Sequence, residues 1–235
     1  MTALGGEFLG TAVITLLGGG VVANCILEKT KGFNGGLIAI TFGWAMAVFV
    51  GVYACTTMGG KGHLNPAVSI AMAWLGKISW NEAGLFIAAQ FGGAFTGAVL
   101  NWLVYRNHFD ATSDPALQLG VFSTGPAIRQ PLQNLVTEAI ATFVLVLGAL
   151  LLSAAEVKLG ALDALPVALL VLGIGLSLGG PTGYAINPAR DLGPRMAHFI
   201  LPIKGKGSSD WGYAWVPVIG PIAGALLAAL LYTQF

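Results

Sequence analysis

Gly183-Tyr-Ala-Ile-Asn-Pro-Ala-Arg-Asp-Leu-Gly-Pro-Arg195 is one of two stretches of this chain that are centred on Asn-Pro-Ala, and Gly62-His-Leu-Asn-Pro-Ala-Val-Ser69 is the other. Asparagine followed by proline is typical of a helix start, with asparagine as the N-cap and proline in the first helical position. One Asn-Pro pair also opens ordinary turns. Two copies in matching halves of an apolar chain predict two short helices that begin at Asn65 and Asn187.

The composition of the chain indicates a membrane protein. Its 235 residues are 56% hydrophobic and 9% charged, whereas a soluble domain carries roughly 25% charged residues. Because so few charged groups cannot cover a water-exposed surface, we expect a lipid bilayer around the protein. The net charge of +1 argues against a nucleic-acid partner. Cys25 and Cys55 have no metal or redox spacing and are expected only to pack, so we predict no metal site and no cofactor.

Long apolar stretches predict six spanning helices, because one crossing of a bilayer needs about 20 mostly apolar residues. No residue is charged between Glu7 and Glu28, for example, and none follows Asp210. We also find no signal peptide. Residues 106–131 are predicted to form the one long loop, with Pro131 at the start of the fourth spanning helix. The predicted spans are residues 3–27, 34–58, 80–105, 132–155, 164–181 and 212–233.

The two Asn-Pro-Ala helices are too short to cross the membrane. Residues 66–76 precede the first charged residue after the motif, Lys77. Eleven helical residues span roughly 16 Å, which is about half a bilayer. Each helix can therefore enter from one side and stop near the middle. Non-helical backbone at that depth is tolerated only inside protein or beside water, so the loops that precede these helices are predicted to line a cavity.

The two halves of the chain repeat. Glu7-Phe-Leu-Gly-Thr11 corresponds to Glu138-Ala-Ile-Ala-Thr142, 131 positions later. Three spanning helices per repeat is an odd number, so the second copy must be inverted in the membrane, which places the half-helix tips near its middle. We predict one domain over residues 1–235, with repeats at about 1–105 and 132–235 linked by 106–131. Small residues that allow close helix packing recur in the third and sixth spans: Gly92, Gly93, Gly97, Gly220 and Gly224.

These features resemble the major intrinsic protein family, the aquaporins and glycerol facilitators, over essentially the whole chain. The resemblance rests on both Asn-Pro-Ala motifs, on Glu7-Phe-Leu-Gly-Thr11, on His63 before the first motif, and on Arg190 and Asp191 after the second. It implies an aquaporin-like fold, an all-α membrane protein with six transmembrane helices and two half-spanning re-entrant helices in an inverted repeat. It also implies a passive pore in every subunit of a homotetramer in the cell membrane, without enzymatic activity or catalytic residues.

The family divides into water-selective channels and channels that pass glycerol, and several positions resemble the glycerol branch. Asp191 directly follows Arg190, and Arg195 follows a Gly-Pro pair. Pro217 and Val218 occupy a pair in the sixth span that this branch fills with proline and an aliphatic residue. The resemblance therefore implies passage of glycerol, other small polyols and water, with exclusion of ions and protons.

The family pattern also implies that both motifs line the pore. Each asparagine amide can donate to a passing oxygen. Two half-helix N-termini that point at one spot create a positive region that repels cations. A single-file oxygen that accepts from both asparagines cannot readily relay a proton. The implied pore residues are Asn65, Pro66, Ala67, Asn187, Pro188 and Ala189.

Arg190 is implied to form a selectivity filter with Trp44, Gly175 and Tyr184. An arginine at bilayer depth indicates function, and its guanidinium donates to hydroxyl oxygens; the alternative is a salt bridge to Asp191. Trp44 lies one residue further from the first motif than the family pattern has, and its alternative role is buried packing. Glycine at position 175, where water-selective members have histidine, leaves room for a carbon chain. Tyr184 replaces the phenylalanine of glycerol facilitators, and its hydroxyl predicts a tighter filter that favours water or small oxidised polyols.

Two carboxylates, Glu7 and Glu138, are predicted at membrane depth, one in each repeat. A lone charge there is costly, so each is expected to accept backbone N–H groups of an Asn-Pro-Ala loop and support it. His63 is expected to support the first loop as a donor or acceptor, with pH-dependent gating as an alternative role.

The residues leave other functions open. Within the channel class the alternatives are a mainly water-selective channel or a facilitator of dihydroxyacetone, urea or lactic acid. Secondary transporters also use broken helices and inverted repeats, but no buried carboxylate beyond Glu7 and Glu138 is available for a coupling ion. No Ser/His/Asp set, metal cluster or phosphate loop indicates an enzyme. The loop charges favour an orientation opposite to the cytoplasmic termini of the family.

Overall fold

A computed structural model describes residues 2–153 and 160–234 of the chain. These residues form helices and connecting loops without a strand, so the predicted all-α fold class is confirmed. A short 3₁₀ turn, Gly160–Leu162, precedes the seventh helix. The α-helices are α1 (Ala3–Ile26), α2 (Gly36–Thr57), α3 (Pro66–Trp74), α4 (Trp80–Ala111), α5 (Pro115–Gly120), α6 (Pro131–Ser153), α7 (Leu165–Leu178), α8 (Pro188–Ile200) and α9 (Val216–Tyr232).

Four of these helices, α1, α2, α4 and α6, are long and apolar enough to cross a membrane, while α7 and α9 are shorter apolar helices. The spans predicted at 164–181 and 212–233 are therefore too long. α7 ends at Leu178, because the Gly179-Gly180-Pro181 sequence that follows disfavours a helix. α9 begins only at Val216. Residues 154 and 155, at the end of the fourth predicted span, lie outside the described residues.

Both half-helices begin where the sequence predicts. The side chain of Asn65 accepts the Ala67 amide at 2.9 Å, and Pro66 opens α3. The side chain of Asn187 accepts the amides of Ala189 at 3.0 Å and of Arg190 at 3.2 Å. α3 has 9 residues rather than the predicted 11, since Gly76 adopts a left-handed backbone with φ 70° just beyond its end.

The helices of the two halves pack in matching ways around the half-helices. α1 packs against α2 and α4, and α6 packs against α7 and α9. Each half-helix crosses to the opposite half, so that α3 lies on α9 and α8 lies on α4, while α2 and α7 join the halves. The loops that precede α3 and α8 are thereby brought face to face.

Glycines permit the closest helix contacts. A Cβ atom on Gly93 would lie 2.2 Å from the carbonyl oxygen of Phe8, and one on Gly97 would lie 2.2 Å from that of Ala12. On α9, a Cβ atom on Gly224 would lie 2.0 Å from a carbonyl oxygen of α6. These distances are shorter than any real contact, so α4 can approach α1, and α9 can approach α6, only because glycine occupies these positions.

The loop predicted over residues 106–131 contains helical structure. α4 continues to Ala111, and the short helix α5 begins after Asp114, whose side chain accepts the Ala116 amide at 2.8 Å. The side chain of Gln118 in α5 is fully buried and donates to the carbonyl oxygens of Phe109, Thr112 and Lys204. These long-range bonds order a segment that its polar composition alone marks as a loop.

Candidate functional site

The two Asn-Pro-Ala tips bond to each other across the middle of the molecule. Nδ2 of Asn65 donates to the carbonyl oxygen of Ile186 at 2.8 Å, and Nδ2 of Asn187 donates to that of Leu64 at 2.8 Å. An amide nitrogen carries two hydrogens, so one hydrogen of each asparagine remains for an acceptor in the adjoining cavity. The two asparagines therefore cap their helices, fix the opposite loop and keep a donor.

The backbone just before each motif is strained. Leu64 has φ 51° and Ile186 has φ 45°, in the left-handed region that branched residues rarely adopt. Tyr184, two residues upstream of Ile186, has φ 38°. Such conformations persist only where the surrounding structure holds them. They turn successive carbonyl and amide groups in different directions, and the amides need buried acceptors.

Glu7 supplies the acceptors for the first loop. It is fully buried in α1, and its carboxylate accepts the amides of His63 at 3.0 Å and of Leu64 at 2.7 Å. Nε2 of Gln90 on α4 donates to the same carboxylate at 2.9 Å and to the hydroxyl of Ser69 at 3.0 Å. Nδ1 of His63 lies 3.1 Å from that hydroxyl, which places this imidazole in the loop support.

Glu138 supplies the acceptors for the second loop. It is buried in α6, and its carboxylate accepts the amides of Ala185 at 3.0 Å and of Ile186 at 2.9 Å. The hydroxyl of Thr182 donates to it at 2.6 Å. Charged acceptors form the stronger class of hydrogen bond, so each strained loop is held by one carboxylate of its own half.

A cavity of about 110 Å³ runs past both tips. Its polar groups come from the two asparagines, Arg190 and the strained loops, and apolar side chains form the remaining wall. Trp44 and Tyr184 are part of that wall. Further apolar lining comes from Ile14, Val48, Val52, Val68, Leu145 and Val171. The cavity therefore has one polar side and one apolar side.

Arg190 lies over the ring of Trp44, with its Cζ atom 4.0 Å from the ring centroid. Trp44 is 5% exposed and lies in a notch of α1, where a Cβ atom on Gly18 would be 2.3 Å from its ring. Cation–π contact of this kind orients a guanidinium without using its donors. The donors of Arg190 are thus left for oxygens in the cavity.

Gly175 lies behind Tyr184 rather than facing an open space. A Cβ atom on Gly175 would be 2.9 Å from Cζ of Tyr184 and 2.4 Å from Cγ2 of Thr41. The hydroxyl of Tyr184 is itself buried. The room that a side chain at position 175 would need is therefore taken by the tyrosine, whose hydroxyl does not extend into the cavity as the sequence led us to expect.

Asp191 pairs with Arg195 and not with the neighbouring Arg190. Oδ1 of Asp191 accepts Nη2 of Arg195 at 2.8 Å and its Nε at 2.9 Å, and both side chains are fully buried. Oδ2 of Asp191 accepts the amide and the hydroxyl of Thr124 at 2.7 Å each. The side chain that follows the filter arginine thus anchors the loop after α5.

Arg195 connects a second loop to the same point. Its guanidinium donates to the carbonyl oxygens of Ser209 at 2.7 Å, Asp210 at 3.1 Å and Thr124 at 3.1 Å. The two loops also meet at the surface, where Arg129 pairs with Asp210. Sequence analysis assigned no role to Thr124, Ser209 or Thr182. They are small polar residues, and no sequence pattern distinguishes them from loop residues.

Lys206 closes the far end of α8. Its ammonium donates to the carbonyl oxygens of His198, Phe199 and Leu201 at 2.8, 2.7 and 2.6 Å. A cation at a helix C-terminus complements the helix dipole, and burial lowers the pKa of Lys206. The N-terminus of the same helix, with its partial positive charge, points to the cavity.

The remaining predicted residues lie outside the cavity lining. Pro217 and Val218 belong to the first turn of α9, which Trp215 precedes as the N-cap. In residues 2–153 and 160–234, no cluster of three His, Cys, Asp or Glu side chains could hold a metal ion.

Comparisons with known proteins identify relatives over nearly the full length. The major intrinsic protein family matches residues 1–232. A probable glycerol uptake facilitator protein of Thermotoga maritima is 54% identical over 226 residues, covering 96% of each chain. The glycerol uptake facilitator protein of Bacillus subtilis is 51% identical over 232 residues, covering 99% of this chain and 84% of its own.

A solved structure gives the same result for the fold. The X-ray structure of the aquaglyceroporin from Plasmodium falciparum superimposes with a TM-score of 0.87 and 31% sequence identity, covering 99% of this chain and 95% of the other. The expected aquaporin-like fold is thereby confirmed. With two crossed half-helices, a cavity between their tips and these relatives, the chain belongs to the major intrinsic protein family.

Proposed function

We propose that this protein is a passive channel for glycerol, related small neutral solutes and water, and that it excludes ions and protons. The observation that carries the proposal is the cavity between the two Asn-Pro-Ala tips, with Arg190 and the asparagines on its polar side and Trp44 and Tyr184 on its apolar side. The relatives in Thermotoga maritima and Bacillus subtilis bear glycerol facilitator names. A channel of this family is not an enzyme.

The division of the cavity into a polar and an apolar side suits a polyol. Hydroxyl oxygens of glycerol can accept from Arg190 and from the free hydrogens of Asn65 and Asn187. The C–H edge of the same molecule can contact Trp44 and Tyr184. The solute exchanges its water contacts for these groups as it passes, which keeps the desolvation cost low.

Electrostatics supports the exclusion of cations. The N-termini of α3 and α8 meet at the asparagines, where their partial positive charges add. Arg190 contributes a full positive charge to the same cavity. An oxygen that accepts from both Asn65 and Asn187 has its lone pairs occupied and cannot readily pass a proton along a water file.

Our proposal extends to the setting of the channel. We place it in the cell membrane as a homotetramer with lipid around it, and we assign the whole chain, residues 1–235, to one domain with inverted repeats at about 1–105 and 132–235. Many large apolar side chains are exposed on the helix surfaces, as a lipid or subunit environment requires. Within the repeats, Glu7 and Glu138 have corresponding roles.

Osmotic measurements on proteoliposomes test the proposal. Stopped-flow light scattering should show water efflux followed by reswelling as glycerol enters, with both faster than in empty vesicles. Asn187→Ala removes the cap of α8 and the bond to Leu64, and a lost cap alone costs about 1 kcal/mol; we expect glycerol reswelling to slow by at least about fivefold.

Asn81→Ala, at an exposed position of α4, is the matched control and should keep the wild-type rate. Water flow without reswelling would instead indicate a water-selective channel. Saturable uptake that depends on an ion gradient would indicate a transporter.

Gly175→Ala is expected to lower glycerol permeability more than water permeability. The new methyl group would overlap Tyr184 and Thr41 and push the tyrosine ring into the cavity. Overpacking costs roughly 1–3 kcal/mol, so glycerol reswelling should slow on the order of tenfold. Gly173→Ala on the same helix is the control, because a Cβ atom there meets nothing within 4 Å. Equal rates for both variants would show that Gly175 does not set the filter width.

A further inference from the structure

The hydroxyl of Tyr184 is buried but makes no hydrogen bond of full geometry with the described residues. Tyr184 is 5% exposed and lies on the strained second loop. A buried tyrosine hydroxyl usually has a partner, because an unmade hydrogen bond carries the full cost of desolvation. The groups around this hydroxyl therefore influence where the ring lies.

The ring of Tyr184 lies across two glycines that are one turn apart on α7. A Cβ atom on Gly179 would be 2.5 Å from Cδ1 of the ring, and one on Gly175 would be 2.9 Å from Cζ. Because Cζ carries the hydroxyl, the polar end of the ring is at Gly175. The two glycines form a groove that takes up the ring beside the cavity.

Thr41 of α2 contacts this groove from the other side. Its Cγ2 atom is 2.4 Å from the position of a Cβ atom on Gly175, and the residue is fully buried. Its hydroxyl donates its one hydrogen to the carbonyl oxygen of Leu37 at 2.7 Å. The oxygen of Thr41 can then only accept, and it interacts with the hydroxyl of Tyr184, which can donate.

We propose that Thr41 is a positioning residue of the filter. By accepting the hydrogen of the Tyr184 hydroxyl, it holds the ring in the glycine groove and away from Arg190 and Trp44. Thr41 and Trp44 are one turn apart on α2, so the same helix contributes one filter wall and positions the opposite one. This inference rests on the proposed channel function and adds a determinant of its solute preference.

A double-mutant cycle tests the inference. Thr41→Val keeps the shape and both branches of the side chain but removes the acceptor. The freed Tyr184 hydroxyl would move toward the polar groups of the cavity and narrow it. We expect the ratio of glycerol to water permeability to fall by about fivefold, the effect of one hydrogen bond. In a Tyr184→Phe background the same substitution should change the ratio by less than about twofold.

Thr41→Ser is the control, because it restores the hydroxyl and should keep the wild-type ratio. An equal effect of Thr41→Val in both backgrounds, or no effect in either, would overturn the assignment of Thr41. The same cycle measured on osmotic water permeability tests the coupling even when glycerol does not pass. A wild type that fails to pass glycerol would therefore refute the proposed function, while the water cycle still decides the role of Thr41.

Discussion

Arg195→Met is expected to destabilise the protein by about 4 kcal/mol, because removal of one partner of a buried ion pair leaves the other charge uncompensated. Asp191 would remain fully buried with a negative charge. The carbonyl oxygens of Ser209 and Thr124 would lose their donor. For a chain of this size we expect the apparent unfolding temperature in detergent to fall by about 10 °C. A thermal shift followed by size-exclusion chromatography measures it.

Two further variants separate charge from packing. Arg129→Met breaks the ion pair with Asp210 at the surface, where the arginine side chain is 54% exposed, and such pairs contribute about 0–1 kcal/mol. Combining Arg195→Met with Asp191→Asn removes both charges and keeps an acceptor for Thr124, so at least half of the lost stability should return. If Arg195→Met and Arg129→Met proved equally mild, the buried pair would not anchor the two loops.

Glu138→Gln is expected to abolish most glycerol and water permeability and to destabilise the protein by about 3 kcal/mol. The new amide has one oxygen to accept hydrogen bonds and a nitrogen that only donates. At least one of the amides of Ala185 and Ile186, or the hydroxyl of Thr182, would lose its acceptor, at about 1–3 kcal/mol each. The strained backbone of Ile186 would then relax, and Asn187 would leave the cavity. Stopped-flow permeability and unfolding temperature, measured on the same preparation, test this.

Glu82→Gln is the matched control for this substitution. Glu82 pairs with Lys61 on the surface, with 35% of its side chain exposed, so the neutral variant should retain both permeability and stability. Glu7→Gln should resemble Glu138→Gln, because Glu7 accepts the corresponding amides of the first loop. Wild-type behaviour of Glu138→Gln would show that the second loop keeps its shape without the carboxylate.

Local signals in the sequence predicted the helix starts well and the helix ends less well. Asn65 and Asn187 cap their helices because capping depends on a side chain and amides two or three residues away. The spans at 164–181 and 212–233 were predicted too long, since apolar composition continues through glycines and prolines that end or delay the helix. The short helix α5 was missed because its stability comes from Gln118, whose partners include the distant Lys204.

The placement of side chains in the site was only partly accessible from sequence. Spacing indicated that Arg190 and Asp191 follow the second motif, but not that Asp191 would pair with Arg195 and Thr124. The absence of a side chain at Gly175 suggested open space, and the tertiary structure fills that space with Tyr184. A sequence records which groups are present, but not which of them reach the same point.

The sequence by itself determined that this is a helical membrane protein with two half-helices that begin at Asn-Pro-Ala, because apolar length and capping are properties of neighbouring residues. Only the tertiary structure decided the crossed bonds of Asn65 and Asn187 and the groove that holds Tyr184. Those contacts join residues far apart in the chain. They form only after the glycines of α4, α7 and α9 have allowed the helices to approach, so packing geometry and not local propensity sets them.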